Sequence, residues 1–391
     1  MHIMKIEVML ITGALLCFTA TAEPDHQSGA FPAGGAVAAV GNRLSVVQTA
    51  DEYNCWPMIE KVAGKIVCLY SRGRGHWYDG MRGACVRTSV DRCVTWSPEI
   101  CITNNPDVCE CAEGTGLDND GSMLMWMICN KSRRNWHRLY RTVDGEHFTL
   151  VCQPSLSPEP TQVTGIISMP NGMLMSLWFA GDYRKANDGH TWGTLTSSDN
   201  GTSWVQRTVE RDLPRGEWPT EISAVSLGDG RILAIGRSER GSQRQFQLTS
   251  CDSGVTWKKC RTNIDDVKES TPSLIYDKAS GLVSNYYFQR GHGILWRRTA
   301  YVDEIFDNPK AWPKPEEVAR GGRKRPYDSG NAKAVADGDL HHVAYYSGNS
   351  TNTAIVVVSV RAQPLKPNGF LKGQTLQEST GKLRVFRAGL R

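Results

Sequence analysis

Six segments of the chain share one pattern: an apolar run, a short turn containing glycine, then a second apolar run. They read PMIEKVAGKIVCLYS, GTGLDNDGSMLMWM, GIISMPNGMLMSLW, ISAVSLGDGRILAIG, PSLIYDKASGLVSNYY and AKAVADGDLHHVAYY. Their turn glycines are Gly64, Gly121, Gly172, Gly230, Gly281 and Gly338, at intervals of 57, 51, 58, 51 and 57 residues. Alternating or fully apolar strands around Asp-Gly, Asn-Gly or lone glycine turns predict β-hairpins.

A second repeat runs between these hairpins. SVDRCVTW at 89–96, SSDNGTSW at 197–204 and SCDSGVTW at 250–257 are near copies, and TVDGEHF at 142–148 is a worn one. The aspartates Asp91, Asp144, Asp199 and Asp252 lie 53, 55 and 53 residues apart. Aspartate, with Ser or Thr two residues before it, supplies acceptors for the N–H groups of a tight turn. Gly201 and Gly254 suit positive φ, and Trp96, Trp204 and Trp257 suit packing between neighbouring sheets. Each aspartate turn follows a turn glycine, so each unit of about fifty-five residues holds two hairpins. Six such units predict an all-β fold, a six-bladed β-propeller of four-stranded antiparallel blades. Blade 5 keeps only Asp303 and Trp312 near the motif position, and blade 6 has lost it. The strand-like segment 36–48 is placed to complete the last blade and close the ring. No composition shift divides the chain, so residues 23–391 read as a single propeller domain.

The N-terminus adds an address. Lys5, the apolar stretch from Val8 to Phe18, and Ala20-Thr21-Ala22 form a signal peptide over residues 1–22, with mature protein starting at Glu23. The expected location is secreted or periplasmic. No other apolar run is long enough to span a bilayer. Of the twelve cysteines, nine fall between Cys55 and Cys152. In an exported chain that density predicts disulfides, and Cys251 and Cys260 are placed to bridge one hairpin. Cys109-Glu110-Cys111 lacks a second pair with zinc spacing, and Asp118-Asn119-Asp120 reads as a turn, so no metal or other cofactor is expected. His341-His342 reads as strand surface, and NKS, NGT and NST at 130, 200 and 349 are formal glycosylation sequons. A net charge of +5 over 391 residues is mild. It accommodates an anionic ligand without marking a nucleic-acid protein. The basic clusters RGRG and RGGRKR read as loop tips.

Strand polarity sorts the polar residues. The first strand of a blade begins, and the second ends, on one face, and the aspartate turns lie on the other. Cys55, Glu113, Glu221 and Tyr327 stand at the starts of first strands. Arg72, Arg74, Asp79, Arg237, Arg244 and Arg290 follow second strands. A mouth with arginines, carboxylates and a tyrosine suits recognition and hydrolysis of an acidic sugar.

The turn motif S-x-D-x-G-x-T-W resembles the Asp box of sialidases, and the resemblance covers roughly residues 36–362. The stretch 221–257, EISAVSLGDGRILAIGRSERGSQRQFQLTSCDSGVTW, looks like the sialidase blade in which a glutamate opens the first strand. This implies that Glu221 activates a nucleophile and that Arg244 and Arg290 hold a substrate carboxylate. It also implies that Asp79 is the general acid/base and that Tyr327, in RPYDSGNAKAV, is the nucleophile; Ser329 stands nearer the strict repeat position. Sialic acid carries a carboxylate on its anomeric carbon, which repels a carboxylate nucleophile, and sialidases use tyrosine instead. Arginine forks pair with the substrate carboxylate. The sequence departs from the family at the first blade. Sialidases open it with an Arg-Ile-Pro-like step, where this chain has Cys55-Trp56-Pro57, which leaves Arg72 or Arg74 to reach the anion. Three functions follow. One is an exported sialidase-like exoglycosidase that removes a terminal acidic sugar from a glycan by a retaining mechanism. The second is a glycosidase or lyase acting on another sugar, with Glu113 and Glu221 as a carboxylate pair. The third is a glycan-binding propeller without catalysis.

Overall fold

Each of the six apolar–turn–apolar segments folds as an antiparallel hairpin, and its glycine sits in the turn at positive φ, from 63° at Gly338 to 79° at Gly64 and Gly121. The computed structural model describes residues 35–77, 82–186, 189–239, 243–267, 269–322 and 328–362. The signal peptide assigned above falls outside them.

Blade 1 consists of β3 (Tyr53–Val62), β4 (Lys65–Gly73), β5 (Gly83–Ser89) and β6 (Ile100–Cys101). Blade 2 is β7 (Cys109–Leu117), β8 (Met123–Lys131), β9 (Arg134–Thr142) and β10 (Thr149–Cys152). Blade 3 is β11 (Gln162–Ser168), β12 (Leu174–Ala180), β13 (Thr191–Ser197) and β14 (Val205–Glu210). Blade 4 is β15 (Pro219–Gly228), β16 (Arg231–Ser238), β17 (Phe246–Ser250) and β18 (Lys258–Arg261). Blade 5 is β19 (Ser273–Asp277), β20 (Leu282–Gln289), β21 (Ile294–Tyr301) and β22 (Glu316–Arg320). Blade 6 is β23 (Ser329–Asp337), β24 (Leu340–Gly348) and β25 (Thr353–Arg361), completed by β2 (Arg43–Gln48) from the other end of the chain.

The 36–48 segment therefore closes the ring, but not as one strand. β1 (Val37–Ala38) pairs with β22 of blade 5, and β2 pairs with β25 of blade 6. Gly41 at φ 87° and the Asn42 N–H bond to Ala39 O make the turn between them. Blades 6 and 1 are tied further by Asn54 Nδ2 donating to Thr353 O at 3.0 Å.

The core lies between blades. Tyr286 and Phe288 of blade 5 pack with Val343 and Tyr345 of blade 6, and Leu124 and Trp126 of blade 2 pack with Leu174 and Trp178 of blade 3. The aspartate turns pin these interfaces. Ser197 Oγ and Ser203 Oγ donate to Asp199 at 2.8 and 2.6 Å, and Gly201 N–H donates to Ser197 Oγ at 2.8 Å. The three turns that carry a tryptophan aim it at the preceding blade. Trp204 meets Trp126 edge-on at 5.1 Å, Trp257 meets Trp192 at 5.9 Å, and Trp96 Nε1 donates to Ser45 Oγ on β2. Blade 5 keeps the tryptophan without the turn. Trp312 Nε1 donates to Gln247 Oε1 of blade 4, while Asp303 lies in a short helix α1 (Val302–Ile305) and pairs with Arg231.

The cysteines correct the disulfide expectation. No disulfide joins any of the eleven described cysteines, Cys251 and Cys260 included. Cys55, Cys68 and Cys85 lie in the blade 6–blade 1 core, and Cys129 in the blade 1–blade 2 core, where they serve as small apolar side chains.

Candidate functional site

One irregularity recurs in the first strands. The ladder skips between Cys55 and Met58, Ala112 and Gly114, Val163 and Ile166, Thr220 and Ser223, and Gly330 and Lys333. Each skip is a β-bulge near the start of the strand, and bulges re-aim side chains. The bulged residues are Trp56, Glu113, Thr164, Glu221 and Asn331. Trp56, Glu221 and Asn331 hold φ of 53°, 46° and 49°, a strained region for residues with a Cβ, of the kind that clusters at functional sites. Trp56, Glu113, Glu221 and Asn331 line one cavity of about 770 Å³. A narrower channel of about 140 Å³, lined by first-strand residues from all six blades, shares Met58 and Lys333 with it.

Blade 4 supplies the densest charge. Glu221 Oε1 accepts from Arg237 Nη1 at 2.5 Å, and Oε2 accepts from Thr271 Oγ1. Arg237 also donates through Nη2 to Glu239 Oε2 at 3.0 Å. Burial alone pushes the Glu221 carboxyl up, but Arg237, Arg290 and Thr271 outweigh it and hold it below the usual range. Burial pushes Glu239 up, and Arg237 only partly offsets it. Arg237 keeps its charge despite burial because two carboxylates surround it. Arg290, 3% exposed, donates to Glu269 O at 2.5 Å, Asn331 Oδ1 at 2.8 Å and Ser329 O at 3.2 Å. Lys333, two residues beyond Asn331, is pushed down to about 8 by burial, with Glu221 pulling the other way.

Blade 2 supplies a buried relay of ionisable groups. His137 Nε2 lies 3.0 Å from Glu113 Oε1, and His137 Nδ1 lies 2.6 Å from Glu159 Oε1. Burial opposes charge on His137, but the two carboxylates outweigh it and raise it to about 9. Blade 1 supplies aromatic surface. Trp56 carries the Arg82 guanidinium 4.7 Å from its ring centroid. Arg82 is fully buried, with Nη1 3.0 Å from Cys55 Sγ. His76 stacks on Tyr346, and burial with Arg290 and Arg82 lowers it to about 3, so it is neutral.

Of the residues singled out from sequence, Glu113, Glu221, Arg237 and Arg290 line the cavity. Asp79 and Tyr327 lie outside the described residues. Arg72, Arg74 and Arg244 are not among the lining residues. Arg72 is held by Glu52 at 3.0 Å and Glu99 at 2.5 Å. In blade 4 the arginine that meets the bulge stands opposite Thr220, and the matching blade 1 position, opposite Cys55, is Ser71. Arg72 is one residue further on, so alternation turns it to the other face. Arg244 is half-exposed, with Nη2 3.5 Å from Asp265. Cys55 is buried one residue short of the bulge, and Trp56 takes the cavity-facing place.

Sequence reasoning missed His137, Glu159, Glu239, Lys333 and Asn331. Counting back from the turn glycines finds Asn331 only once two offsets are known. Glu221 stands nine residues before Gly230, and Asn331 seven before Gly338. Gly230 is the second turn residue while Gly338 is the first, and blade 4 carries an extra bulge between Ser226 and Gly228. Among the described residues, no cluster of three or more His, Cys, Asp or Glu is arranged to hold a metal.

The fold has known likenesses. A sialidase of Trypanosoma rangeli, in complex with the inhibitor DANA, superposes with a TM-score of 0.60 at 13% identity over 84% of this chain and 60% of that one. The NanB sialidase of Streptococcus pneumoniae gives 0.63 at 11% identity over 83% and 71%. The intramolecular trans-sialidase of Ruminococcus gnavus gives 0.60 at 10% identity over 83% and 99%. At such identities the likeness is one of fold. The chain spans about 60% of the length of the Trypanosoma sialidase it matches. A search of curated proteins found no match. The model of the BNR repeat-like domain matches residues 124–380, more than half of the sequence. The chain belongs to the BNR repeat-like domain family.

Proposed function

We propose that this propeller is an exported, sialidase-like glycoside hydrolase that removes a terminal acidic sugar from a glycan. The observation that supports it is Glu221, ionised on a strained bulge at the cavity wall, with Arg237 and Arg290 beside it. An ionised carboxylate at a cavity wall is a base ready to take the proton of an attacking group. Arg290 and Lys333 add positive charge for a sugar carboxylate; Arg237 is held by Glu221 and Glu239, and Arg290 by Glu269 O, Asn331 Oδ1 and Ser329 O. Trp56 and the half-exposed Trp77 offer flat apolar faces for a sugar ring. In this reading the nucleophile is Tyr327, as the resemblance implies, while the blade 6 bulge itself carries Asn331.

The test is a screen of purified protein against aryl glycosides of sialic acid, uronic acids and neutral sugars. Turnover restricted to acidic sugars is the expected result. Turnover of neutral sugars alone overturns the acidic specificity. Binding of glycans with no turnover of any glycoside overturns the enzyme.

A further inference from the structure

Glu113 stands on the blade 2 bulge, two blades round the ring from Glu221, and both line the same cavity. It is 3% exposed. Its Oε1 faces His137 Nε2 at 3.0 Å, the Val163 N–H bears on the carboxyl, and neither oxygen makes a full hydrogen bond. A buried carboxyl oxygen short of hydrogen bonds is destabilised. A ligand that meets it in the cavity relieves this. Behind it the groups run in a line toward solvent: His137, fully buried, then Glu159, whose side chain is 31% exposed.

From this arrangement we propose that Glu113 donates the proton to the leaving glycosidic oxygen, and that His137 and Glu159 return it from solvent. The proposal rests on the glycosidase reading of the cavity. The Oε2 proton of Glu113 passes to the glycosidic oxygen as the bond to the anomeric carbon breaks. The bond pair stays on that oxygen, which leaves as an alcohol. Water supplies the hydroxyl that replaces it, and the spare proton leaves through Glu221. The new Glu113 carboxylate is stabilised by the adjacent imidazolium and is reprotonated along His137 and Glu159. The environments fit the division of labour. Burial pushes Glu113 up, with His137 partly opposing, while Glu221 is held down by its arginines. Two carboxyls driven apart in this way are the mark of an acid and a base in one site. Cys129, His137 and Glu159 are the titratable groups beside Glu113.

The experiment compares phenyl and 2,4-dinitrophenyl glycosides of the sugar the wild type accepts. Dinitrophenolate leaves without an acid, whereas phenolate needs one. Glu113→Gln is expected to lose about 10²–10⁴-fold in kcat/KM on the phenyl glycoside and less than about tenfold on the dinitrophenyl one. Glu113→Asp keeps a carboxylate opposite His137 and is expected to show the same selectivity, so the test survives a Gln variant that fails to fold. Glu159→Gln is expected to shift the pH profile on the phenyl substrate while leaving dinitrophenyl turnover in place. Equal losses on both substrates in a folded variant, or none on either, overturn the assignment. So does a leaving-group-selective loss in Asp79→Asn that Glu113→Asp lacks. A wild type inactive on every glycoside overturns the glycosidase reading itself, a separate outcome.

Discussion

At the scale of single residues, the cavity is a balance of buried charges. Arg237 sits between Glu221 and Glu239. Removing one partner of a buried ion pair typically costs about 3–5 kcal/mol, because the other charge is left stranded. Arg237→Met is therefore expected to lower stability by about that amount, as chemical denaturation would show; a change within about 1 kcal/mol would mean the cluster is well solvated. Lys333 belongs to the same balance. Burial lowers it to about 8, so its charge is present below that pH and lost as pH rises through it. If it meets a sugar carboxylate, KM for an acidic glycoside should rise above pH 8 in the wild type. Lys333→Met should show a raised KM below about pH 8 that converges on the wild type above it, with the alkaline rise removed. An unchanged pH dependence of KM in Lys333→Met would separate Lys333 from substrate binding.

At the scale of the element, the aspartate turn is the unit that repeats. Asp199 and Asp252 are held down to about 2, chiefly by the hydroxyls of Ser203 and Thr256 and by turn N–H groups. The unfolded carboxyl titrates near 3.9. The stabilisation is thus fully present above about pH 4 and is lost as pH falls toward 2. Asp252→Asn is expected to flatten the acid side of the stability–pH curve, read by thermal unfolding between pH 5 and 2. A variant curve parallel to the wild type would contradict this. These turns were legible in sequence because each is local: eight consecutive residues carry the whole hydrogen-bond pattern. The hairpin glycines were legible for the same reason. The site was less so, because the bulges that aim it act between strands. A bulge moves the cavity-facing place from Cys55 to Trp56, and alternation hands the blade 4 arginine role to Arg237 while turning Arg72 outward. Glu221 was found because its whole blade resembles a known one. His137 and Lys333 sit inside strands with no local signal, and only ladder register brings Lys333 to the cavity wall and His137 against Glu113. The cysteine count misled because counting does not see that those side chains fill the seams between blades.

At the scale of the molecule, the ring is closed by β2, which joins the two ends of the described chain through five register pairs with β25. A form truncated before residue 49 would expose the β25 edge and open the seam between blades 6 and 1. Loss of cooperative unfolding, or aggregation, is the expected result on calorimetry; an unchanged transition would show that blade 6 stands on three strands. The closed ring holds five bulged strand starts around one axis, which places Glu113, Glu221 and Asn331 from three different blades in one cavity. The central claim is that this cavity hydrolyses an acidic glycoside with Glu221 as its base. The most direct measurement is kcat for Glu221→Gln beside the wild type on the best acidic glycoside, with folding checked by thermal unfolding. The account predicts a folded variant with kcat reduced by about 10²–10⁴-fold. A folded Glu221→Gln protein that turns over at the wild-type rate would contradict it.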